Sequence, residues 1–417
     1  MTVAAPLLTR RAVLQTAIEG VYRQEAAVGV NDALYVEEPD YAVDVNLLER
    51  DFARDDLSPL PNIVGRRLAS MTFTTELKGS GAQNSGNVAD APLIARLFRA
   101  CGYSLTAIPD ADSTVVYPIG NHTVEVQWLV SAVAAAHTDV INYSIEVVTG
   151  GPSGTAEVAI VSDTAGEGSP GPSIVATSGT AIPLGTHGLE VTPTWAGNLQ
   201  AGKRWTVWAL PTGLRLDPIS DNFESLTLVL NMDGVQHKML GCFGTFSVSA
   251  EAGDYARIEW EFQGTFIDPT DVPMPICNYE KSLPSQVELA RLRMDKDYII
   301  VNAFNYTQGN DIQIRPDVSS REGYVGTRIV SRAPEGGIDP EAEKVADHDF
   351  WGRMGDAERM TFQMRVGKDR GNTVWFLAPS VQYTGLTYQD RNGIRTYDAQ
   401  LRFSRVLGND ELCIVLA

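Results

Sequence analysis

The chain has 417 residues, of which 44% are hydrophobic and 20% charged, and its formal charge at neutral pH is −19. That length holds two or three domains with cores of their own, and 37 Gly with 22 Pro points to many turns between short strands, so an all-β organisation is expected. The acidic balance excludes binding to a nucleic-acid backbone by phosphate neutralisation, which needs clustered Lys and Arg.

Thr9-Arg10-Arg11-Ala12-Val13-Leu14 has the outline of a twin-arginine export signal. Gln15, Glu19 and Arg23 break the apolar run such a signal requires, so export is not expected. Glu37 to Pro61 reads as a polar connector with Glu49, Asp51, Asp55 and Asp56 among its charges, either an arm that crosses to a neighbour or a mobile loop. Gly65 to Gly79 alternates as a strand does. Gly79, Gly81 and Gly86 have no G-K-[ST] and no β-α-β context, so they mark a turn rather than a phosphate cradle. Asp90 then caps a helix over Ala91–Gly102, with Pro92 in its first turn and Leu93, Ile94, Leu97 and Phe98 as its apolar stripe.

The next hundred residues differ in kind. Short strands are expected at Val124–Val130, Ile141–Val148, Ala156–Val161, Ile174–Ala176, Leu189–Trp195 and Arg204–Leu210, separated by Gly/Pro turns. That spacing fits an immunoglobulin-like β-sandwich over residues 115–216. Trp128, Trp195, Trp205 and Trp208 make either a carbohydrate platform or the core, and their alternating strand positions favour the core.

Beyond it comes the clearest pattern in the chain. Leu226, Leu228 and Leu230 alternate with polar neighbours up to Asp233-Gly234, a pair suited to a two-residue hairpin turn. Phe246 and Val248 alternate with Ser247 and Ser249, and Ile258, Trp260 and Phe262 alternate with Arg257, Glu259, Glu261 and Gln263. A strict period of two means that one face is buried.

The string DGVQHKMLGCFGTFSVSAEAGDYARIEWEFQGTFIDPTDVPMP resembles the central hairpin region of the major tail tube proteins of long-tailed bacteriophages. There a DG turn, an H-K pair, a G-x-x-G-T strand and an F-x-G-x-(F/Y)-x-x-P-T-D-x-x-x-P ending recur in that order. The likeness extends to Leu8–Cys101, through Arg10-Arg11, Tyr22 and Asn31–Val36, and to Ile276–Ala417; Thr114–Leu216 stands outside it as an insertion.

A passage after Pro273 echoes the first half. Gly65–Ser70 finds a partner in Gly326–Ser331, the helix Ala91–Gly102 in Ala346–Gly355, Leu226–Leu230 in Met360–Val366, and Arg257–Phe266 in Arg395–Val406. The expected fold is therefore mainly β: tandem tail-tube β-sandwich or barrel modules, each with one short helix, plus the inserted sandwich. The first module takes residues 1–114 and 217–272, with an amino-terminal arm, and the second takes residues 273–417.

The resemblance implies a structural virion protein, with no enzyme activity, whose stacked rings form a hollow tube for passage of viral DNA without specific binding. It implies assembly in the host bacterial cytoplasm, residence in the virion tail and no membrane insertion. The implied partners are further copies of the chain, the tail terminator, the distal tail protein and the tape measure protein. Two modules per chain make a trimer a pseudo-hexamer, and a true hexamer remains if one module alone lines the channel. Candidate lumen-facing residues are Ser247, Ser249, Glu251, Arg257, Glu259, Glu261 and Gln263, with Thr396, Asp398, Gln400 and Arg402 from the second module. Glu37–Pro61, Pro316–Glu322 and Gly336–Val345 are expected to be loops that order on the next ring, with the insertion a peripheral, removable domain on the tube's exterior.

No catalytic, cofactor or metal site is expected. His122, His137, His187, His237 and His348 lack ligand spacing, and Asp347-His348-Asp349 reads as a charged helix start. Asp110 with Asp112, or Asp268 with Asp271, suit turns better than calcium. Cys101, Cys242, Cys277 and Cys413 are far apart and read as buried free thiols. The alternative is a β-sandwich adhesin or carbohydrate-binding surface protein, supported by the insertion and its tryptophans.

Overall fold

The computed structural model describes residues 6–53, 55, 58–79, 87–108, 113–119, 126–131, 139–162, 171–185, 188–284, 286–287, 291–295, 297–320, 322–369 and 371–417. Gly81, Gly86, Asp110, Asp112, His122, His137 and His187 lie outside them. The fold is mainly β, with two short α-helices among the described residues.

Before the insertion the chain forms β1 (Ala12–Ile18), β2 (Ala33–Leu34), β3 (Glu37–Leu48), β4 (Ile63–Glu76), α1 (Leu93–Ala100) and β5 (Tyr103–Ile108). The expectation of a connector or loop from Glu37 is wrong for its first half, because β3 is a strand in antiparallel register with β4. Among the described residues β3 pairs with β4 alone, so its outer edge is open. Pro39 and the charged side chains of β3 suit such an edge and hide the strand from a search for alternation.

The insertion comprises β6 (Ser113–Ile119), β7 (Val126–Ser131), β8 (Ile141–Thr149), β9 (Ala156–Ser162), β10 (Gly171–Ala176), β11 (Ile182–Pro183), β12 (Glu190–Trp195) and β13 (Arg204–Leu210). They make a five-stranded sheet, β10-β9-β8-β13-β6, and a three-stranded one, β11-β12-β7. Ile145, Val158, Val191, Trp205 and Val207 are among the residues of the core they share.

Then follow β14 (Gly213–Pro218), β15 (Leu226–Met232), β16 (Val235–Glu251) and β17 (Arg257–Asp271). The second half holds β18 (Arg291–Met294), β19 (Asp297–Ile299), β20 (Val301–Thr307), β21 (Asn310–Pro316), β22 (Tyr324–Arg332), β23 (Glu335–Pro340), α2 (Phe350–Gly355), β24 (Met360–Val366), β25 (Val374–Arg391), β26 (Ile394–Phe403) and β27 (Cys413–Leu416). Asp233 and Gly234 close the β15–β16 hairpin at φ 45° and 111°, positive values that a two-residue turn of this hand demands. Asn392 and Gly393 do the same between β25 and β26, at φ 55° and 85°.

Two runs of strands repeat one topology. The first is β2-β1-β15-β16-β17-β4-β3 and the second β19-β18-β24-β25-β26-β23-β20, every neighbour antiparallel. A bulge recurs at the same place in both. Leu226 and Leu228 face Cys242 and Met239, so that Thr227 opposes two residues, and Met360 and Phe362 face Val381 and Ala378, so that Thr361 does. Extra residues at corresponding points bend the long strands alike. The equivalence expected between Gly65–Ser70 and Gly326–Ser331 is not the one formed. The counterpart of β4 is β23, since β4 pairs with β17 and β23 with β26, whereas β22 pairs, among the described residues, only with β21. Gly336–Pro340 of the expected loop Gly336–Val345 is thus strand, and a Cβ on Gly336 would lie 2.5 Å from the Asn305 carbonyl oxygen. Its glycines mark close packing between strands rather than disorder.

A single apolar core runs through both modules, from Leu97, Phe98, Phe246 and Trp260 to Phe304, Phe376 and Phe403. The strand alternation then defines the layers. Phe376, Ile414 and Leu416 face this core, while Trp375, Leu377, Cys413 and Val415 face away from it and pack with Tyr117 and Trp208 of the insertion. Arg365–Asp139 at 3.0 Å and Arg204–Asp295 at 2.9 Å reinforce the seam. The insertion is docked, not tethered. Excising residues 117–215 removes Gly213–Arg215 from β14, which pairs with β5 and β27, and uncovers Trp375 and Leu377.

Candidate functional site

Eight strands from both modules, β3-β4-β17-β16-β20-β23-β26-β25, form one continuous antiparallel sheet. Because β16 pairs with β20, the polar faces of the two modules become one. A single row crosses the sheet through Glu37, Thr74, Glu259, Ser247, Thr307, Glu335, Arg402 and Gln382. The next runs through Glu76, Arg257, Ser249, Asn305, Gly337, Gln400 and Gly385.

Ser249, Glu251, Glu259, Glu261, Asp398, Gln400 and Arg402 are exposed on this face, and Ser247, Arg257 and Gln263 are half-buried. Their neighbours Val248, Ile258, Trp260, Phe262, Ala399 and Leu401 are buried on the opposite face. The alternation arises because one side meets the core and the other does not. Thr396 departs from the expectation, at 2% exposure. The chain beyond β23 continues across the end of β26, where Glu341 bridges Thr396 and Ala342 N–H donates to the Arg395 carbonyl, and so covers it.

The face is acidic in effect as well as in composition. Arg257 is engaged by Asp254 at 2.7 Å and lies over the Tyr255 ring at 4.0 Å. These hydrogen bonds raise the guanidinium pKa further, and the bond from Arg257 holds the Asp254 carboxyl below its usual range. Gln400 donates to Asp398 at 2.8 Å, and the Ser247 and Thr307 hydroxyls meet at 3.0 Å. Glu259 and Glu261 have no ion-pair partner among the described residues, which leaves their charge directed outward. A phosphate polymer near such a surface is repelled along its whole length.

Among the described residues the sheet ends on two open edges, β3 and the part of β25 beyond Val381. β17 pairs with β4 only from Leu68 to Glu76, so the distal part of the β3–β4 hairpin projects as a two-stranded ribbon. Leu47, Leu48, Phe52, Ile63 and Val64 are all about half exposed on it or its tip. Sequence reasoning singled out this region but missed the strand, and it missed β20, the link between the modules.

Other candidates resolve into structural roles. His348 is buried, with Nδ1 2.8 Å from Asp297 and Nε2 3.3 Å from the Tyr383 hydroxyl, and burial lowers its pKa. Asp349 caps α2 by accepting from Gly352 N–H. Asp268 pairs with Arg67 at 3.2 Å. His237 lies against the Tyr41 ring, centroids 4.5 Å apart. Trp195, Trp205 and Trp208 are buried, and Trp128 packs edge-on to Trp205 at 5.2 Å, so the tryptophans make no exposed platform. Cys101, Cys242 and Cys413 are buried, whereas Cys277 is half-exposed. No group of three acidic, His or Cys side chains fit to hold a metal occurs among the described residues.

No protein-family model matches the chain, and no curated protein matches it.

Proposed function

We propose that this chain is the subunit of a phage-type tail tube, three copies of which close into a ring, with the rings stacked into a channel for viral DNA. One observation carries the reading: the acidic faces of two repeated modules are merged into one eight-stranded sheet with two open ends. A sheet closed on itself satisfies both ends.

Strand arithmetic favours three copies. Twenty-four strands at ~4.8 Å spacing and ~40° tilt make a barrel about 48 Å across its backbone, and roughly 10 Å less inside the side chains. Six copies give about twice that, and one copy, at roughly 16 Å, is filled by its own side chains. Two copies give about 32 Å across the backbone and roughly 22 Å inside the side chains, which would hold a duplex against the wall, whereas three copies leave it clearance on every side.

With the polar face inward, the order outward is polar face, shared core, outer strands and then the insertion, which decorates the exterior. Glu251, Glu259, Glu261, Glu335 and Asp398 line the channel and outnumber the exposed Arg402 among them, so that passing DNA meets net negative charge. The projecting β3–β4 ribbon, with its exposed apolar tip, is suited to the next ring. The tail terminator, distal tail and tape measure proteins are the partners this role requires at the tube's ends and interior.

The test is the solution mass of the purified chain at low and high concentration, with negative-stain electron microscopy of the same samples. Rings or tubes with three-fold views are expected. A folded chain that stays monomeric at every concentration and with tail extracts overturns the proposal.

A further inference from the structure

The seam between the two modules is an internal template for the contact between chains. At that seam β16 of the first module pairs with β20 of the second, and the repeat makes β25 the counterpart of β16, and β3 the counterpart of β20. The free edges are the same two surfaces without each other. Burial tells them apart. Val248 and Tyr306 face each other at the seam, 1% and 0% exposed. Their counterparts are Tyr388, 51% exposed, and Tyr41, half-buried.

The correspondence follows from the shared bulge. Cys242 matches Val381, so Phe243 matches Gln382, and their partners Gln263 and Arg402 match as well. Through β4 and β23, Ser70 then matches Glu335, and their partners Ala42 and Thr307 match. That aligns Tyr41 with Tyr306. On the long strand Glu259 matches Asp398, which aligns their partners Ser247 and Thr387. The seam register Ser247 to Thr307 and Val248 to Tyr306 can therefore be transferred.

We infer that β25 of one copy pairs with β3 of a second copy in the register Thr387 to Ala42, Tyr388 to Tyr41 and Gln389 to Asp40. This rests on the tube reading, and it specifies which edges meet and how. The strand count agrees with it, because strands alternate in direction across eight and the first and last run oppositely, so the new pair is antiparallel like every other. The hydrogen bonds transfer as well. At the seam Gln308 N–H donates to the Phe246 carbonyl and Ala252 N–H to the Asn302 carbonyl. By that alternation Tyr41 and Tyr388 exchange both their backbone bonds, and Val43 N–H donates to the Leu386 carbonyl. Pro39 donates nothing, which weakens the edge as a template for unrelated strands. The contact also covers Tyr388, which with Trp351 and Tyr397 forms an aromatic group beside the open edge.

The test is a disulfide between chains. Ala42 and Thr387 form a pair without backbone bonds to each other, the closer kind, whose Cβ separation suits a disulfide. In a Cys277→Ser background, Ala42→Cys with Thr387→Cys is expected to oxidise at least ten times faster than Asp44→Cys with Thr387→Cys, two residues out of register. Its covalent product ends at a closed trimer, and a mixture of the two single variants stops at dimer. In the unmodified chain, the amides of Tyr41, Val43 and Tyr388 gain hydrogen-exchange protection on assembly. Rings that form without this cross-link, or with faster linkage of the shifted pair, overturn the register and leave the tube reading standing. A folded chain that forms no rings, no cross-link and no new protection overturns both.

Discussion

The two modules solve one packing problem with different chemistry. Under α1, Phe98 meets Phe246 and Trp260 at 4.9 and 5.0 Å, the indole nitrogen of Trp260 donates to Thr75, and Tyr103, packed on both phenylalanines, donates its hydroxyl to Gln308. Under α2, Phe350 meets Tyr383 and Tyr397 at 5.5 and 5.0 Å. The second nest carries polar groups, with His348 between Asp297 and Tyr383, and Trp351 donating to Tyr397. Strand order and the bulge at Thr227 and Thr361 are retained while side chains change, and β25 carries a further bulge, between Tyr383 and Gly385, that the matching stretch of β16 lacks. Both modules therefore combine apolar burial with buried hydrogen bonds, and what sets the second nest apart is an imidazole whose contribution depends on pH.

Trp260→Ala attacks the first nest and has the largest expected effect. It leaves a cavity under α1 and an unpartnered Thr75 hydroxyl, at a cost of about 3–5 kcal/mol read from the denaturation midpoint. A loss under 1 kcal/mol would show that the nest does not hold the module. Glu19→Ala comes next. This buried carboxylate accepts from Arg23 N–H, the Ser225 and Thr227 hydroxyls and Gly241 N–H, and so ties the amino-terminal segment to the bulge shared by both modules. Stranding those donors costs about 2–4 kcal/mol, and a near-neutral result would mean that water replaces the carboxylate.

His348 sharpens the contrast from the other side. Burial lowers its folded pKa, so the unfolded chain binds the proton more readily. Its contribution is intact above the ordinary imidazole pKa near 6.5 and is lost as pH falls from there toward the folded value, by at most about 1.4 kcal/mol per pH unit. Chemical denaturation at pH 7.5 and 5.5 should therefore show a smaller difference for His348→Gln than for the native chain. Equal differences would place the pH response elsewhere. The smallest effect on stability belongs to Glu259→Gln with Glu261→Gln, within about 0.5 kcal/mol because both side chains are exposed. The same pair should slow DNA passage through assembled tubes, and unchanged passage would remove the channel's charge from the account.

What the sequence made legible follows from what each strand touches. β17 was readable because Ile258, Trp260 and Phe262 meet the core while Glu259 and Glu261 do not. The polar-face residues expected on β16, β17 and β26 follow the same alternation, except Thr396, beside which the segment after β23 runs. β3 was hidden because an edge strand needs no alternation and tolerates Pro39. β23 was hidden by Gly336 and Gly337, which mimic a flexible segment although Gly336 lies against the Asn305 carbonyl and Gly337 against the Asn305 side chain. The join of β16 to β20 and the seam between Trp208 and Trp375 are tertiary, and no local pattern announces them.

In the proposed tube the merged acidic face lines a channel. A reconstructed cross-section of the assembled chain by electron cryomicroscopy tests it most directly. The account predicts three-fold symmetry, a closed inner barrel of 24 strands built from three eight-stranded sheets, Glu259 and Asp398 pointing to the axis, and the insertion outermost. An inner wall formed by the insertion, or a barrel with its acidic face outward, would contradict it.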